Sequence, residues 1–492
     1  MTIAANSQNH KRSADRSALQ ISEKDLGRRI KTFLAQPRLI LNSLLMFVFS
    51  ALWIRECLYW LPQDAFRTSL NYWAFTDWLI DYSQGFIRRG LSGEILQMLP
   101  ATVPPLEFVA VFSWILILVI ALGYVRLLAR SAKTYHPLTL FGLLFPPSLF
   151  LFYIHDHDTI ARKEILGYIT VLLHLLIVEK SFPLGDGSTL PDGKLRRYVQ
   201  WLIPITVILL PAIILIHEGN FLLFVPLHIM ITLTVLRMQA PRDFMRAALW
   251  AGLLYLPAAL AFGAVYLSGT PSYDMLFGIC NKWLAAGAIR EGSCVLLPEQ
   301  LTGSTLPGSF MPMQWSLAIA ADITQMIIST HWVTWILILP VLGVCLWYIV
   351  RQAVYSILRS RSSPSFSPQS ASRYSGLFFR KYFLIPLLLS LPVYYTAYDY
   401  GRWFTVTCIN FSMLAVSVNL PCRESALLNK AEDEGSVAPD SRQHLDNRLV
   451  FYGVSTIICV LALVSWLPHY CLFSCKIIQS PLLFFLHTFV AN

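Results

Sequence analysis

The chain has 492 residues, of which 55% are apolar, 13% are aromatic and only 13% are charged. A soluble globular domain carries about 25% charged residues, and the mean hydropathy of the chain is +0.56. This composition excludes a soluble enzyme, a disordered chain and a disulfide scaffold, and it predicts an all-α polytopic membrane protein. The net charge of +10 therefore indicates membrane topology, and no nucleic-acid partner is expected.

The apolar segments predict a bundle of about eleven transmembrane helices. Residues 1–38 are polar and basic and are expected to form a disordered cytoplasmic tail. A helix needs about 20 mostly apolar residues to cross a bilayer. The transmembrane domain is predicted over 39–468, with spans near 39–61, 105–126, 137–154, 164–179, 198–216, 220–237, 246–268, 332–350, 382–397, 404–420 and 449–468.

Two further apolar stretches, 315–330 and 477–490, contain Asp322 and Pro481. We expect both to be interfacial or re-entrant, which makes 469–492 an interfacial C-terminal segment.

Lysine and arginine set the predicted orientation. With the N-terminus in the cytoplasm, the cytoplasmic segments carry 28 of the 38 Lys and Arg residues. This bias predicts a cytoplasmic N-terminus and a C-terminus on the opposite side. The two largest outer loops are then 62–104 and 269–331. We expect no cytoplasmic catalytic domain, because no cytoplasmic loop is long enough to bury a core.

On this topology, five polar motifs all lie on the outer side, at helix ends or in outer loops. This agreement is informative because the spans were assigned from apolar length and basic charge. The motifs are Asp77-Trp-Leu-Ile-Asp81-Tyr-Ser-Gln-Gly-Phe-Ile-Arg88-Arg89-Gly90, His155-Asp156-His157-Asp158-Thr-Ile-Ala-Arg162-Lys163-Glu164, His217-Glu218, Tyr273-Asp274 and Tyr398-Asp399-Tyr400-Gly401-Arg402-Trp403.

The first motif places two acids before a glycine-bounded arginine pair. The guanidinium group is a rigid fork of donors that suits phosphate. One interpretation is that Arg88 and Arg89 hold a lipid pyrophosphate while Asp77 or Asp81 lies near the acceptor. The alternative is structural: the arginines reach the lipid headgroups and the aspartates pair with them.

The second motif contains the most titratable groups. Asp156 and Asp158 have the Asp-x-Asp spacing that can hold a divalent cation through oxygen ligands. Asp158 and Arg162 are four residues apart, so an interfacial ion-pair network with Lys163 and Glu164 is the alternative. Glu164 begins a predicted span, where a charge is costly unless it is used or paired.

The remaining motifs are shorter. His217-Glu218 follows a long apolar run, and it lacks the second histidine of a zinc-protease helix. Asp399 and Arg402 lie between two closely spaced spans, beside aromatic residues such as Trp403 that stack on sugars or anchor a helix in the interface. In outer loop 269–331, a Cys280–Cys294 disulfide is plausible because disulfides persist outside the cytoplasm. The chain contains neither a P-loop nor a Gly-x-Ser-x-Gly elbow.

The motifs Asp-Tyr-Ser-Gln-Gly-Phe-Ile-Arg-Arg-Gly-Leu, Arg-Lys-Glu, His-Glu and Asp-Tyr-Gly-Arg-Trp resemble those of EpsG/Wzy-like polysaccharide polymerases of bacteria. More broadly, they resemble the membrane glycosyltransferases of the GT-C class. The resemblance covers short outer motifs and the number of spans. It implies an enzyme of the bacterial inner membrane that transfers a sugar or glycan from a polyprenyl-phosphate-linked donor at the non-cytoplasmic face. Implied partners are the lipid-linked glycan, membrane lipids and envelope polysaccharide assembly proteins.

Such a transfer needs a positive clamp for the departing phosphate and a group that accepts the proton of the acceptor hydroxyl. A divalent metal ion is a further candidate, with Asp156 and Asp158 as its first ligands. The candidate catalytic residues are Asp77, Asp81, Asp158, His217 and Glu218. The candidate substrate-binding residues are Arg88, Arg89, Arg162, Lys163, Asp399, Arg402 and Trp403.

Two other functional classes stay open. A transporter or flippase of a lipid-linked glycan would use the same arginines without chemistry, and it should also carry polar residues deep in several spans. The predicted spans have largely apolar interiors, which favours the enzyme. A non-catalytic subunit of an envelope assembly complex is the third reading.

Overall fold

A computed structural model of the protein describes residues 37–60, 73–144, 161–182, 192–239, 243–268, 273–289, 339–361, 368–396 and 400–417. These residues are organised as helices, with no strand among them. In chain order the α-helices are α1 (Pro37–Trp60), α2 (Trp73–Thr76), α3 (Gly90–Gln97), α4 (Pro105–Ala129), α5 (Pro137–Leu144), α6 (Glu164–Ser181), α7 (Asp192–Ile203), α8 (Leu210–Ile216), α9 (Gly219–Gln239), α10 (Phe244–Ser268), α11 (Tyr273–Ala285), α12 (Leu339–Arg361), α13 (Pro368–Phe379), α14 (Ile385–Thr396) and α15 (Tyr400–Val416).

Short non-α turns extend these helices. A 3₁₀ turn, Asp77–Leu79, follows α2, and another, Ala132–Thr134, follows α4. Two π-helical segments, Pro204–Leu209 and Arg380–Leu384, join α7 to α8 and α13 to α14. The π segments keep each pair of helices continuous, so each pair runs as one long helix that begins polar and becomes apolar.

Six helices in the described part of the chain are long and apolar enough to cross a membrane, and the protein is therefore an integral membrane protein of the all-α class. They are Pro37–Arg55, Pro105–Ala129, Gly193–Ile216, Gly219–Met238, Phe244–Ser268 and Tyr374–Val393. All six overlap spans predicted from the sequence. The total of eleven spans and their orientation stay predictions, and span 449–468 lies outside the described residues.

The span predicted at 382–397 begins earlier in the structure, at Tyr374. The reason is the run of aromatic rings in α13. Tyr374 and Phe378 are buried, and Phe378 packs against Tyr382 with ring centroids 4.7 Å apart. These rings extend the apolar surface into residues 374–381. That stretch looks polar in the sequence because it also contains serine, arginine and lysine.

Charges at the helix ends match the helix dipole. Helix α4 has Glu107 in its first turn and Arg126 in its last, and α6 has Glu164 and Lys180 in the corresponding places. Acidic groups near the N-terminus and basic groups near the C-terminus stabilise a helix, typically by 0.3–1 kcal/mol each at exposed positions.

The apolar residues form a main core and a smaller one. The main core runs through the long helices and includes fully buried rings such as Tyr124, Phe224 and Trp403. The smaller core joins Phe75, Trp78 and Leu79 to Leu276 and Trp283 of α11. It also includes the first turns of α4, so it lies at the end of the bundle where α4 begins. We call residues 73–99 together with α11 the cap.

The cap is attached by backbone and side-chain contacts. The Gly93 amide donates to the Ile80 carbonyl at 2.9 Å, which fixes α3 on the segment before it. The indole Nε1 of Trp78 donates to the Ala161 carbonyl at 2.6 Å, just before α6. Cys280 of α11 is disulfide-bonded, and Cys294, its predicted partner, lies outside the described residues.

Candidate functional site

The structure brings residues from three of the predicted motifs into one buried group, which we call the charge cluster. Its members come from the cap, from the start of α6 and from the turn between α8 and α9. Six of the seven are less than 9% exposed, and the Arg89 side chain is 21% exposed. The charge cluster consists of Asp77, Arg88, Arg89, Lys163, Glu164, His217 and Glu218.

Arg89 is the centre of the charge cluster. Its Nε and Nη2 donate to the Glu218 carboxylate at 2.8–3.2 Å, and its Nη1 donates to Asp77 Oδ1 at 3.2 Å. Arg88 lies beside the same carboxylate, with Nη1 3.6 Å from Glu218 Oε1. The Arg89 fork therefore joins the cap to the α8–α9 turn.

The backbone of Arg89 is in the left-handed region, with φ of 64°. No other non-glycine residue in the described ranges has a positive φ. The next residue is Gly90, whose Cβ position would lie 2.2 Å from the Tyr82 ring. A side chain at position 90 would displace the Tyr82 ring, so glycine lets Tyr82 pack against the turn from which Arg89 points at Glu218.

Asp77 is held by two cations. The Lys163 ammonium lies 3.0 Å from Asp77 Oδ2 and also donates to the Asp77 carbonyl at 2.8 Å. Both side chains are almost fully buried. Lys163 therefore anchors the cap to the start of α6 by binding both the main-chain carbonyl and the side chain of Asp77.

His217 occupies the turn between α8 and α9, and each of its ring nitrogens faces a polar group. The Gly219 amide donates to Nδ1 at 3.0 Å, so this nitrogen is the acceptor and the ring proton is assigned to Nε2. Nε2 lies 3.4 Å from Glu164 Oε1. The Trp403 ring packs edge-on against the imidazole, with centroids 6.5 Å apart.

The local charges shift the proton affinities of these groups. Burial raises the pKa of Asp77, but Lys163 and Arg89 outweigh it and bring the pKa down to about 2. Burial acts in the same direction on Glu218, yet Arg89 and Arg88 hold its pKa well below the usual range. Burial, reinforced by Arg89, lowers the pKa of His217 to about 4. At neutral pH both carboxylates are ionised and His217 is uncharged.

Asp81 does not belong to the charge cluster. Its Oδ2 lies 3.0 Å from Lys282 Nζ of α11, and its Oδ1 accepts from the Ser83 amide at 2.8 Å. The sequence offers no signal that pairs Lys282 with Asp81, because 201 residues separate them. Asp81 therefore holds α11 onto the rest of the cap.

The other predicted site residues have varied positions. Trp403 touches the charge cluster through His217, and Arg162 is buried directly before Lys163. The backbone of Arg402 lies in α15, and its side chain is outside the described residues. Asp156, Asp158 and Asp399 also lie outside them. Within the described ranges, no group of three or more His, Cys, Asp or Glu side chains is placed to hold a metal ion.

A second polar group lies deep among the long helices, outside the five motifs that stand out in the sequence. His174 Nδ1 of α6 lies 2.9 Å from His228 Nδ1 of α9, and the other nitrogens face Tyr198 Oη at 2.7 Å and Thr170 Oγ1 at 2.9 Å. Thr232 Oγ1 extends this network, because it lies 3.3 Å from Tyr198 Oη and 2.7 Å from Tyr255 Oη. We call these six residues of four helices the buried hydrogen-bond chain.

All six side chains of this chain are almost fully buried. The sequence does contain one indication of this chain, which is the pair of histidines inside apolar segments. An ionisable residue within a membrane span is usually functional or paired. Polar side chains therefore lie deep in several helices, and the prediction of largely apolar span interiors is wrong for this part of the bundle.

Comparison of the chain with protein-family models, with curated proteins and with solved structures finds no match.

Proposed function

We propose that this chain is a membrane glycosyltransferase or polysaccharide polymerase that uses a polyprenyl-phosphate-linked sugar donor at the non-cytoplasmic face. Its setting would be the bacterial inner membrane, with envelope polysaccharide assembly proteins as partners. The proposal rests on the outer motifs and their resemblance to EpsG/Wzy-like polymerases and GT-C enzymes. Of the predicted residues, Arg89, with Arg88 and Lys163 beside it, is the centre of this proposal.

The observation that carries the proposal is the conformation of Arg89. A left-handed backbone at a non-glycine residue costs on the order of 1–3 kcal/mol and is concentrated at functional sites. Arg89 has this conformation in the middle of a buried charge cluster. Its side chain is also more exposed than those of its two ion-pair partners, Asp77 and Glu218. A purely structural ion pair could be built on an unstrained backbone.

The chemistry assigns separate roles to the two signs of charge. As the bond from sugar to phosphate breaks, negative charge accumulates on the departing pyrophosphate. Fixed cations stabilise that charge most effectively where water is excluded. Arg88 and Arg89 are the cations for this role, and Lys163 supports them through Asp77.

The test is in-membrane activity. Purified protein in nanodiscs is incubated with polyprenyl-linked oligosaccharide, and sugar transfer or chain extension is followed by mass spectrometry. We expect Arg89→Gln to lose the product. Arg130→Gln is the matched control, because Arg130 pairs with Glu179 at 2.7 Å near the opposite end of α6. Product with Arg89→Gln at the wild-type level would contradict the proposal.

A carrier of a lipid-linked glycan is the second candidate, and the buried hydrogen-bond chain favours it. Chains of histidine and hydroxyl groups inside membrane helices are typical of transporters. Thr232→Val interrupts this chain. A carrier that uses the chain would then fail to move a fluorescent polyprenyl pyrophosphate across a liposome membrane. The enzyme would retain its transfer activity, since the charge cluster is unchanged.

A further inference from the structure

Every carboxylate in an ion pair around Arg89 is already neutralised by a cation. Asp77 faces Lys163 and Arg89, and Glu218 faces Arg89 and Arg88. His217 has no free acceptor nitrogen, because Nδ1 accepts from the Gly219 amide and Nε2 carries the ring proton. The transfer reaction nevertheless needs a group that accepts a proton from the acceptor hydroxyl. None of these three groups is available for that role while the present contacts persist, and Glu164, the remaining acid of the charge cluster, faces His217 and is fully buried, so that a substrate meets Glu218 before it.

The geometry of Arg89 indicates how one of them becomes available. Nε and Nη2 form the side-on pair of donors, and both are used by Glu218. A phosphate group binds arginine best through such a pair of parallel hydrogen bonds. A phosphate that takes this pair must therefore replace Glu218. Asp77 touches only Nη1, so it can remain in place.

The exposure of the side chains points to the same exchange. The Arg89 side chain is 21% exposed and that of Glu218 is 11%, whereas Asp77 and Lys163 are 6% and 1% exposed. A ligand that approaches from solvent or from the headgroup region meets Arg89 and Glu218 before the inner pair. The Asp77–Lys163 pair is the fixed support, and the Arg89–Glu218 pair is the accessible one.

We propose that a pyrophosphate group of the donor replaces Glu218 on Arg89, and that the released Glu218 is the proton acceptor of the reaction. This inference rests on the proposed function. The acceptor O–H bond breaks and its proton moves to Glu218, while the acceptor oxygen forms a bond with the anomeric carbon. The bond from that carbon to phosphate breaks, and its electron pair stays on the pyrophosphate held by Arg89 and Arg88. The proton on Glu218 then returns to the pyrophosphate or to water.

The physical reason lies in burial. A buried carboxylate without a cation favours its neutral form, because removal from water penalises the charge. Glu218 is 8% exposed, and its cation partners are what now keep it ionised. When phosphate takes Arg89, the penalty remains and the main compensation is lost. The proton affinity of the released Glu218 therefore rises only when donor is bound, and the fraction of Glu218 that is still ionised accepts the proton of the acceptor hydroxyl.

The exchange predicts proton uptake on ligand binding. Farnesyl pyrophosphate is titrated calorimetrically into the protein in phosphatidylcholine nanodiscs, in two buffers with different ionisation enthalpies. With no acceptor present, the wild-type protein should take up more protons than Glu218→Gln, by a fraction of one proton per bound ligand that grows as the pH is lowered. Glu179→Gln is the matched control, because it removes a buried, ion-paired carboxylate near the opposite end of α6, and it should retain the excess. Inorganic pyrophosphate as a second ligand distinguishes a lipid-linked from a free pyrophosphate.

The outcomes separate the inference from the function on which it rests. Equal proton uptake by the wild type and Glu218→Gln would overturn the exchange and leave the anion site intact. No binding of either pyrophosphate would overturn the proposed function as well. If Glu218→Gln fails to fold, infrared difference spectra of the wild-type protein answer the question. A protonated carboxyl band that appears on ligand addition supports the exchange, and its absence contradicts it.

Discussion

Arg89 is held in an unfavourable backbone conformation by contacts on two sides. The Tyr82 ring fills the space beside Gly90, and the Glu218 carboxylate binds the Arg89 fork. Both contacts are made with the Arg89 backbone in the left-handed region. The backbone and the side chain of Arg89 are thus held by different parts of the chain, and together these contacts restrain the position of the guanidinium group.

The first prediction concerns the coupling of Arg89 to Glu218. Removal of one member of a buried ion pair leaves the other charge uncompensated, which typically costs 3–5 kcal/mol. We therefore expect Arg89→Gln and Glu218→Gln each to lower the unfolding temperature. The double variant should be more stable than the sum of the two changes predicts, by about 1–3 kcal/mol. The measurement is thermal unfolding in detergent. Strictly additive effects would mean that the pair is not formed in solution.

The second prediction is a stepwise loss of stability in acid. The pKa of His217 falls from 6.5 to about 4 on folding, so the unfolded chain binds more protons between these values. The stability that His217 contributes, about 3 kcal/mol, is full above pH 6.5 and is lost as the pH falls to 4. Asp77, with a pKa lowered from 3.8 to about 2, adds a further loss between those values.

Thermal unfolding across the pH range checks this prediction. His217→Asn keeps an acceptor for the Gly219 amide and removes the titration. The variant should lose less stability than the wild type between pH 6.5 and 4, while the loss below pH 4 should persist. Parallel pH profiles for the two proteins would contradict the assignment of this step to His217.

At the scale of elements, the cap depends on the close approach of α3 to the segment before it. The Gly93 amide donates to the Ile80 carbonyl, and a Cβ at Gly93 would lie 2.3 Å from that same oxygen. Backbone cannot move aside as a flexible side chain can. Glycine at this position therefore determines how α3, and Arg89 at its start, are placed relative to Asp77.

The third prediction follows from that approach. Gly93→Ala should destabilise the protein by about 1–3 kcal/mol, the usual cost of overpacking, and should weaken pyrophosphate binding because Arg89 directly precedes α3. Gly252→Ala is the control, since nothing lies within 4 Å of its Cβ position in α10. The control should be neutral or stabilised by about 0.5–1 kcal/mol, because alanine favours a helix interior. Equal behaviour of the two variants would mean that α3 is not docked as described.

The elements differ in how far the sequence predicts them. Long apolar runs predict spans such as Pro105–Ala129 and Gly219–Met238 because a bilayer demands about 20 apolar residues. The five motifs predict which residues carry charge at helix ends. The sequence does not predict which charges pair, because contacts such as Arg89–Glu218 join residues 129 positions apart. Asp81 is the clearest example: it is a candidate base in the sequence, and it holds Lys282 in the structure.

At the scale of the whole molecule, the charge cluster and the buried hydrogen-bond chain lie at different depths along α6. The charge cluster lies at the start of α6, and His174 lies ten residues along that helix, about 15 Å deeper at 1.5 Å per residue. The Glu179–Arg130 pair lies near the opposite end of α6. Polar groups thus occur at both ends and in the middle of one helix, with apolar packing between them.

The fourth prediction tests the orientation that underlies the proposed function. The excess of Lys and Arg on one side predicts a cytoplasmic N-terminus and a charge cluster on the outer face. Ser83 in the cap and Lys133 after α4 are both exposed and lie at opposite ends of α4. In intact cells, Ser83→Cys should react with a membrane-impermeant maleimide and Lys133→Cys should not, with the unaltered chain as the blank.

Permeabilised cells supply the control for this experiment, because both cysteines should then react. The reverse pattern in intact cells would place the charge cluster in the cytoplasm. A lipid-linked donor presented at the outer face would not reach Arg89 in that case, so the proposed function would fail even if the ion pairs were correct. Orientation is therefore the property on which chemistry, substrate and partners jointly depend, and it can be measured without any knowledge of the sugar.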